Sequence, residues 1–221
     1  LLAGAMTIVE SLAPGASQDA LVYHLALPAR YVEAGGFTRV EGSFFAYFPQ
    51  NIEMLFTFGL LLKDETLAQG YHWLLGVAAS AAVAALARRI DPKASVLLAA
   101  AAFATIPTVV LIGGWAYVDL GVVLFVTLSV LCFLRWTRSE ACPWLVLSAV
   151  FAGAAAGSKY TAGFQGLLVA GGAMLLGTLR RWPARKAVSL SALAAGVVAA
   201  VACPWWIRNA LATGNPLYPF C

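Results

Sequence analysis

Charge is scarce in this chain. Lys, Arg, Asp and Glu make up 11% of its 221 residues, against about 25% in an ordinary soluble domain. Together with 62% hydrophobic residues and a mean hydropathy of +0.84, that shortfall excludes a water-soluble globular protein and points to an all-α integral membrane protein. Cysteine is also sparse, with four residues and no CxxC or Cys/His spacing, so neither a disulfide framework nor a metal knuckle is expected. Cys132 and Cys203 sit inside apolar runs, and Cys142 and Cys221 lie in or next to loops. No GxGxxG follows a strand and no P-loop is present, so nothing supports nucleotide binding. The net charge of +4 comes from short basic clusters between apolar runs, which excludes a nucleic-acid face and reads as a set of topology determinants.

The sequence is dominated by hydrophobic runs. A span needs roughly 20 apolar residues. The chain opens in the tail of a truncated span (about 1–13), followed by candidates near 66–87, 94–112, 115–134, 143–158, 161–179 and 187–206. The expectation is a polytopic bundle of about seven spans, part of a longer protein. As one transmembrane domain over 1–221, it has a first extracytoplasmic loop at 14–65, six spans over 66–207 and the start of the next loop at 208–221.

The run 49–62 is ambiguous. As a helix, its 14 residues rise roughly 21 Å, short of the ~30 Å hydrocarbon core. If it lies along the interface as an amphipathic helix, Arg88, Arg89, Lys93, Arg135, Arg138, Arg180, Arg181, Arg185 and Lys186 share one side, nine of the 14 Lys and Arg residues. That side is then cytoplasmic. The loop 14–65 with its juxtamembrane helices, the turn 113–118, GSKY at 157–160 and PWWIRNALATGNPLYPF face the other side. Asp19, Asp119, Lys159 and Arg208 are thereby expected on one membrane face.

Ionisable groups held near hydrocarbon are costly, and a cluster of them points to a site. Asp19 suits a general base at headgroup level, or a helix N-cap together with Ser17. His24 suits a proton shuttle, a phosphate contact or a plain interfacial polar residue. Arg30 and Arg39 suit bidentate phosphate contacts or snorkelling to headgroups. Asp119, four residues into its span, is placed where a helix dipole stabilises it. Lys159, a lone cation on the non-cytoplasmic side, favours anion binding. Arg208 stands beside Trp205 and Trp206, which read as an interfacial belt, and its fork also matches phosphate oxygens. Glu53 faces either headgroups or the site. Asn209, Asn215 and Pro216 mark a turn-rich exit from the last span.

DALVYHLALPARYVEAGGF, FPQNIEMLF, YVDLGVVLF, GSKYTAG and PWWIRNALATGNPLYPF, in that order, resemble the polytopic GT-C glycosyltransferases. The likeness is to bacterial members of the glycosyltransferase 39 type, related to protein O-mannosyltransferases and the lipid A aminoarabinose transferase. The resemblance implies a hexosyl or pentosyl transferase of the cell envelope. Its donor would be a polyprenyl-phosphate sugar and its acceptor a glycan, lipid or protein hydroxyl, on the extracytoplasmic face of the inner (cytoplasmic) membrane. It implies Asp19 as the base and Asp119, then Glu53, as the second acidic group. It implies that Lys159 and Arg208 meet the donor phosphate; from the residues themselves, Tyr23, His24, Arg30, Glu53 and Asn209 complete the expected substrate-binding set. Where many relatives carry paired acidic residues, Asp19 is followed by Ala20. One carboxylate is a poor site for a hard cation, so no cofactor is expected. A transporter or flippase of a lipid-linked or anionic solute is the alternative; it should bury charge near the midplane in repeated halves, and no internal repeat is visible.

Overall fold

The computed structural model describes residues 2–38, 40 and 42–220. Arg39, Cys221 and the first residue of the chain lie outside the described residues. Among the described residues there are ten α-helices and no strand, as expected where lipid cannot satisfy an open backbone. Four helices are long and apolar enough to cross a bilayer: Glu65–Ile90, Asp119–Ser139, Tyr160–Leu179 and Ala184–Thr213. The chain is a multi-pass membrane protein. It divides into two compact units, Leu1–Ala46 with Gln50–Leu124, and Tyr47–Pro49 with Phe125–Cys221.

The first unit contains α1 (Leu2–Ser11), a π turn (Ala20–His24), α2 (Ala26–Ala34), α3 (Asn51–Leu62), α4 (Glu65–Ile90), α5 (Val96–Ala104), α6 (Pro107–Ile112) and the start of α7 (Asp119–Ser139). Gly35 ends α2 in the left-handed conformation, φ 66°, and the Gly36 N–H returns to the Tyr31 carbonyl. Asp64 caps α4, accepting from the N–H groups of Thr66 and Leu67. The Thr66 hydroxyl, above all, holds the Asp64 carboxyl below the usual carboxylate range. Gly59 lets α3 lie against α4, where a Cβ would come within 3.0 Å of the Ala68 nitrogen. From α4, Gln69 Nε2 donates to the carbonyls of Ser11 (3.3 Å) and Ala13 (2.7 Å), and Trp73 Nε1 donates to Thr7 Oγ1 (3.2 Å), fastening α1.

Helix α3 is 12 residues long, roughly 18 Å, too short to cross the ~30 Å core. It buries Ile52, Glu53, Phe56 and Gly59 and exposes Leu55, Phe58, Leu61 and Leu62. Its carboxylate is inside and its apolar side chains are outside, the arrangement a lipid-facing helix requires.

The expected span 94–112 is two short helices, α5 and α6. Pro107 offers no N–H and drives the preceding residue out of the α region; Ile106 is extended at φ −58°, ψ 126°. The next span starts later than its apolar run, at Asp119. Ahead of it Gly113 and Gly114 form a turn against α1. A Cβ on Gly114 would lie 2.6 Å from Glu10 Cβ, and Trp115 Nε1 donates to Glu10 Oε1 at 2.6 Å.

The second unit contains the rest of α7, α8 (Cys142–Ala156), a 3-10 turn (Tyr160–Ala162), α9 (Gly163–Leu179) and α10 (Ala184–Thr213). Its core is Trp136, Leu145, Ala149, Ala152, Val169, Ala173, Ala194 and Val198. Lipid provides no hydrophobic force between helices, so small residues and close packing join them. Gly153 and Gly166 both sit against Val198. Inside the bundle Ser129 and Ser148 each donate to the other's carbonyl (2.9 and 2.8 Å), and Gln165 Nε2 donates to Ser129 Oγ (3.1 Å).

At one end Glu140 bridges Arg180 and Lys186 (3.1 Å), drawing the RWTR and RRWPARK loops together. Lys186, followed by Arg180, holds the Glu140 carboxyl below its usual range. Helix α10 runs past the expected end at 206 to Thr213, where Gly214 at φ 78° stops it. Arg208 and Asn209 are therefore helical rather than in the following loop. Trp205 is 5% exposed, so it faces inward and is not part of an interfacial belt.

Candidate active site

In the first unit, Gln18 and Asp19 lead into the π turn, closed by the Leu25 N–H donating to the Ala20 carbonyl at 2.8 Å. A residue advances 100° in an α-helix and roughly 80° in the wider π turn. Tyr23 and His24, four and five positions after Asp19, therefore both stay near its face. In an α-helix His24 would swing roughly 140° away. Asp19 has helical angles, φ −66° and ψ −33°, and its side chain makes no capping bond. It stands at the N-cap position of the π turn, but its side chain caps nothing.

His24 is 3% exposed, and its Nδ1 lies 2.8 Å from Glu53 Oε1. Glu53 therefore points into the protein, not to headgroups. Its second oxygen, Oε2, is buried without a hydrogen-bond partner. Tyr23 stacks on Phe45 with ring centroids 4.4 Å apart and lies 3.9 Å from the His24 ring. Burial first, then the negative charges of Asp19, Glu53 and Asp119, push the Tyr23 phenol well above its usual range. These three carboxylates thus share one neighbourhood around Tyr23, and the Tyr117 ring stands 5.4 Å from that of His24.

Asp119 is half-buried and is the first residue of α7. Beside it the Leu120 N–H donates to Nε2 of His72, a fully buried α4 residue, at 3.3 Å. The sequence reading missed His72; its one signal is an imidazole inside the apolar run of a span, in a chain with only two histidines. The same reading missed Gln50, 1% exposed, which accepts from the Tyr31 hydroxyl at 3.0 Å. Arg30 and Glu33 lie on the exposed side of α2.

The second unit holds Lys159, Arg208 and Asn209. Asn209 is fully buried, and its Nδ2 donates to Tyr47 O (2.8 Å), Tyr160 Oη (3.0 Å) and Tyr218 O (3.1 Å). Arg208 Nη2 donates to Phe48 O and to Asn209 Oδ1, both at 3.0 Å, and its guanidinium lies 5.0 Å from the Trp205 ring. Both residues therefore tie backbone segments together. Lys159 is half-buried just before the 3-10 turn. Among the described residues no three His, Cys, Asp or Glu side chains are arranged to hold a metal ion.

The family model of the dolichyl-phosphate-mannose-protein mannosyltransferases matches residues 52–207, more than half of the chain. The chain belongs to that family. It is a membrane glycosyltransferase. The matched stretch of this mannosyltransferase-family chain contains Glu53, His72, Asp119 and Lys159; Asp19, Tyr23 and His24 precede it. No curated protein and no solved structure matches the chain.

Proposed function

We propose that this glycosyltransferase moves a sugar from a polyprenyl-phosphate donor to an acceptor hydroxyl on the extracytoplasmic face of the cytoplasmic membrane, with Asp19 as general base. The observation that carries the reading is the gathering of Asp19, Glu53 and Asp119 around Tyr23, with Asp19 free of a capping role. In the proposed step the acceptor O–H gives its proton to the Asp19 carboxylate. Its oxygen bonds to the anomeric carbon while the bond from that carbon to the phosphate oxygen breaks, and polyprenyl phosphate leaves with the electron pair. The step as written uses no cofactor. Asp119 is the second acidic group, at the N-terminus of α7 where the helix dipole favours its charge. Lys159 is proposed to meet the donor phosphate. An apolar cavity of about 240 Å³ on α2 and α3, lined by Tyr31, Phe37, Met54 and Leu61, suits a lipid-linked substrate.

The test is Asp19→Asn, assayed with a radiolabelled polyprenyl-phosphate sugar. Loss of a positioned base costs on the order of 10²- to 10⁴-fold in turnover, and wild-type-like transfer would sink Asp19 in that role. Cysteine-accessibility mapping at Ser43 and Arg138 tests the proposed sidedness, and labelling of both from one side rejects it.

A further inference from the structure

We infer that Glu53 is a positioning residue that acts through His24: it fixes the imidazole with a proton on Nδ1 and leaves Nε2 as the nitrogen that takes and returns protons beside Asp19. The inference deepens the reading of Asp19 as base and rests on it.

Four observations carry it. The contact is short, 2.8 Å between Nδ1 and Glu53 Oε1, with side chains 3% and 4% exposed. A carboxylate oxygen only accepts, so the shared proton belongs to Nδ1. The pair joins the π turn to α3 across 29 residues, so it is built by the tertiary fold and not by chain proximity. The π turn, in place of an α turn, keeps His24 near the face that carries Asp19; such turns recur at functional sites. Glu53 Oε2 is buried and unpartnered, an expensive state for a carboxylate oxygen. A residue serving packing alone would not need that carboxylate there.

The groups facing His24 are Tyr23 on its own segment, Glu53 on α3, His72 on α4 and Tyr117 in the turn before α7, while the charges of Asp19 and Asp119 reach the adjoining Tyr23. After Asp19 has accepted the hydroxyl proton it must shed it before the next turnover. In this scheme the proton passes from the Asp19 carboxylic acid to His24 Nε2 and then to water. Asp19 is left ionised, and Nδ1 keeps its own proton on Glu53 throughout.

In full-length protein labelled with ¹⁵N-histidine in nanodiscs, His24→Gln removes and so assigns the imidazole spin system of His24. In the pH range where the ring is neutral, His24 is expected with Nδ1 protonated. Glu53→Leu takes the acceptor away from Nδ1, which frees the ring to adopt the Nε2-protonated form. Turnover is then expected to fall by on the order of 10²-fold or more with donor KM unchanged, since a wrong tautomer disables an imidazole relay. Glu53→Asp, which keeps the carboxylate, is expected to restore the Nδ1 proton and part of the turnover. A wild-type ring protonated on Nε2 overturns the inference, as does a Glu53→Leu protein with an unmoved tautomer or wild-type turnover. The tautomer readout needs no substrate, so a failure of the pair is distinguishable from a failure of Asp19 as base.

Discussion

The Leu120 N–H donates to Nε2 of His72 across 3.3 Å, so a histidine in the interior of one helix caps the first turn of another, next to Asp119. The first N–H groups of a helix have no partner within it, and buried ones must find one elsewhere. His72→Leu removes that acceptor. It is expected to destabilise the protein by about 1–3 kcal/mol, the cost of a buried donor left unpaired. Thermal unfolding in detergent micelles measures it; an unchanged melting temperature would show that the contact contributes nothing.

Asn209 in the second unit donates to two backbone carbonyls and a tyrosine hydroxyl. Asn209→Leu removes all three donated bonds and leaves the Tyr47 and Tyr218 carbonyls the single Tyr160 hydroxyl proton between them (3.3 and 2.9 Å). A loss of about 1–3 kcal/mol follows, the cost of a buried acceptor left unpaired. Limited proteolysis should then cut faster within residues 214–220, because Tyr218 loses one of its two ties. Equal cutting rates would refute the role.

Helix packing in the second unit depends on the absence of Cβ atoms. At Gly153 an added methyl would meet Val201 Cβ at 2.7 Å and the Val198 carbonyl at 2.9 Å. Gly153→Ala is expected to cost about 1–3 kcal/mol through overpacking. Gly171, with nothing within 4 Å of its would-be Cβ, is the control. Gly171→Ala should be neutral or stabilising by up to about 1 kcal/mol. A melting series on both variants separates steric cost from general helix propensity.

The Tyr23 phenol is raised above its usual 10.0, by burial first and then by Asp19, Glu53 and Asp119. A group whose folded value lies above its unfolded one contributes stability that is fully present below the unfolded value and lost as pH rises through the folded one. Tyr23 thus favours folding below pH 10.0 and its contribution is withdrawn in more alkaline solution. Tyr23→Phe should show a shallower alkaline loss of stability than the wild type. Parallel alkaline denaturation curves for the two proteins would contradict this.

The helices were the most legible part of the sequence. Apolar runs longer than a bilayer is thick have few alternatives in water or lipid, and α4, α7, α9 and α10 follow the expected spans near 66–87, 115–134, 161–179 and 187–206. Their ends were less legible. Pro107 breaks one run, Asp119 begins another four residues late, and Gly214 rather than the end of apolarity stops α10. Termination is decided by single residues and their backbone angles, to which a hydropathy window is blind.

Within the site, residue type alone singled out Asp19 and Asp119, because carboxylates next to hydrocarbon stand out against an apolar background. It left Glu53 suspended between headgroups and interior, and missed His72. The reason is that periodicity in an α-helix cannot foresee a π turn, and it is that turn which sets the face His24 takes, toward Glu53. Arg208 shows the converse. Its sequence context suits phosphate, yet two of its donor nitrogens reach the Phe48 carbonyl and the Asn209 side chain, partners remote in sequence or dependent on helical geometry.

The sequence by itself determined a membrane-embedded, all-helical chain, because composition and run length act through solvation, which is a local property summed along the chain. Only the tertiary structure decided which polar groups meet. The pairing of His24 with Glu53 and of His72 with the α7 N-terminus depends on helix register and on one wider turn. Those follow from packing between segments far apart in the sequence.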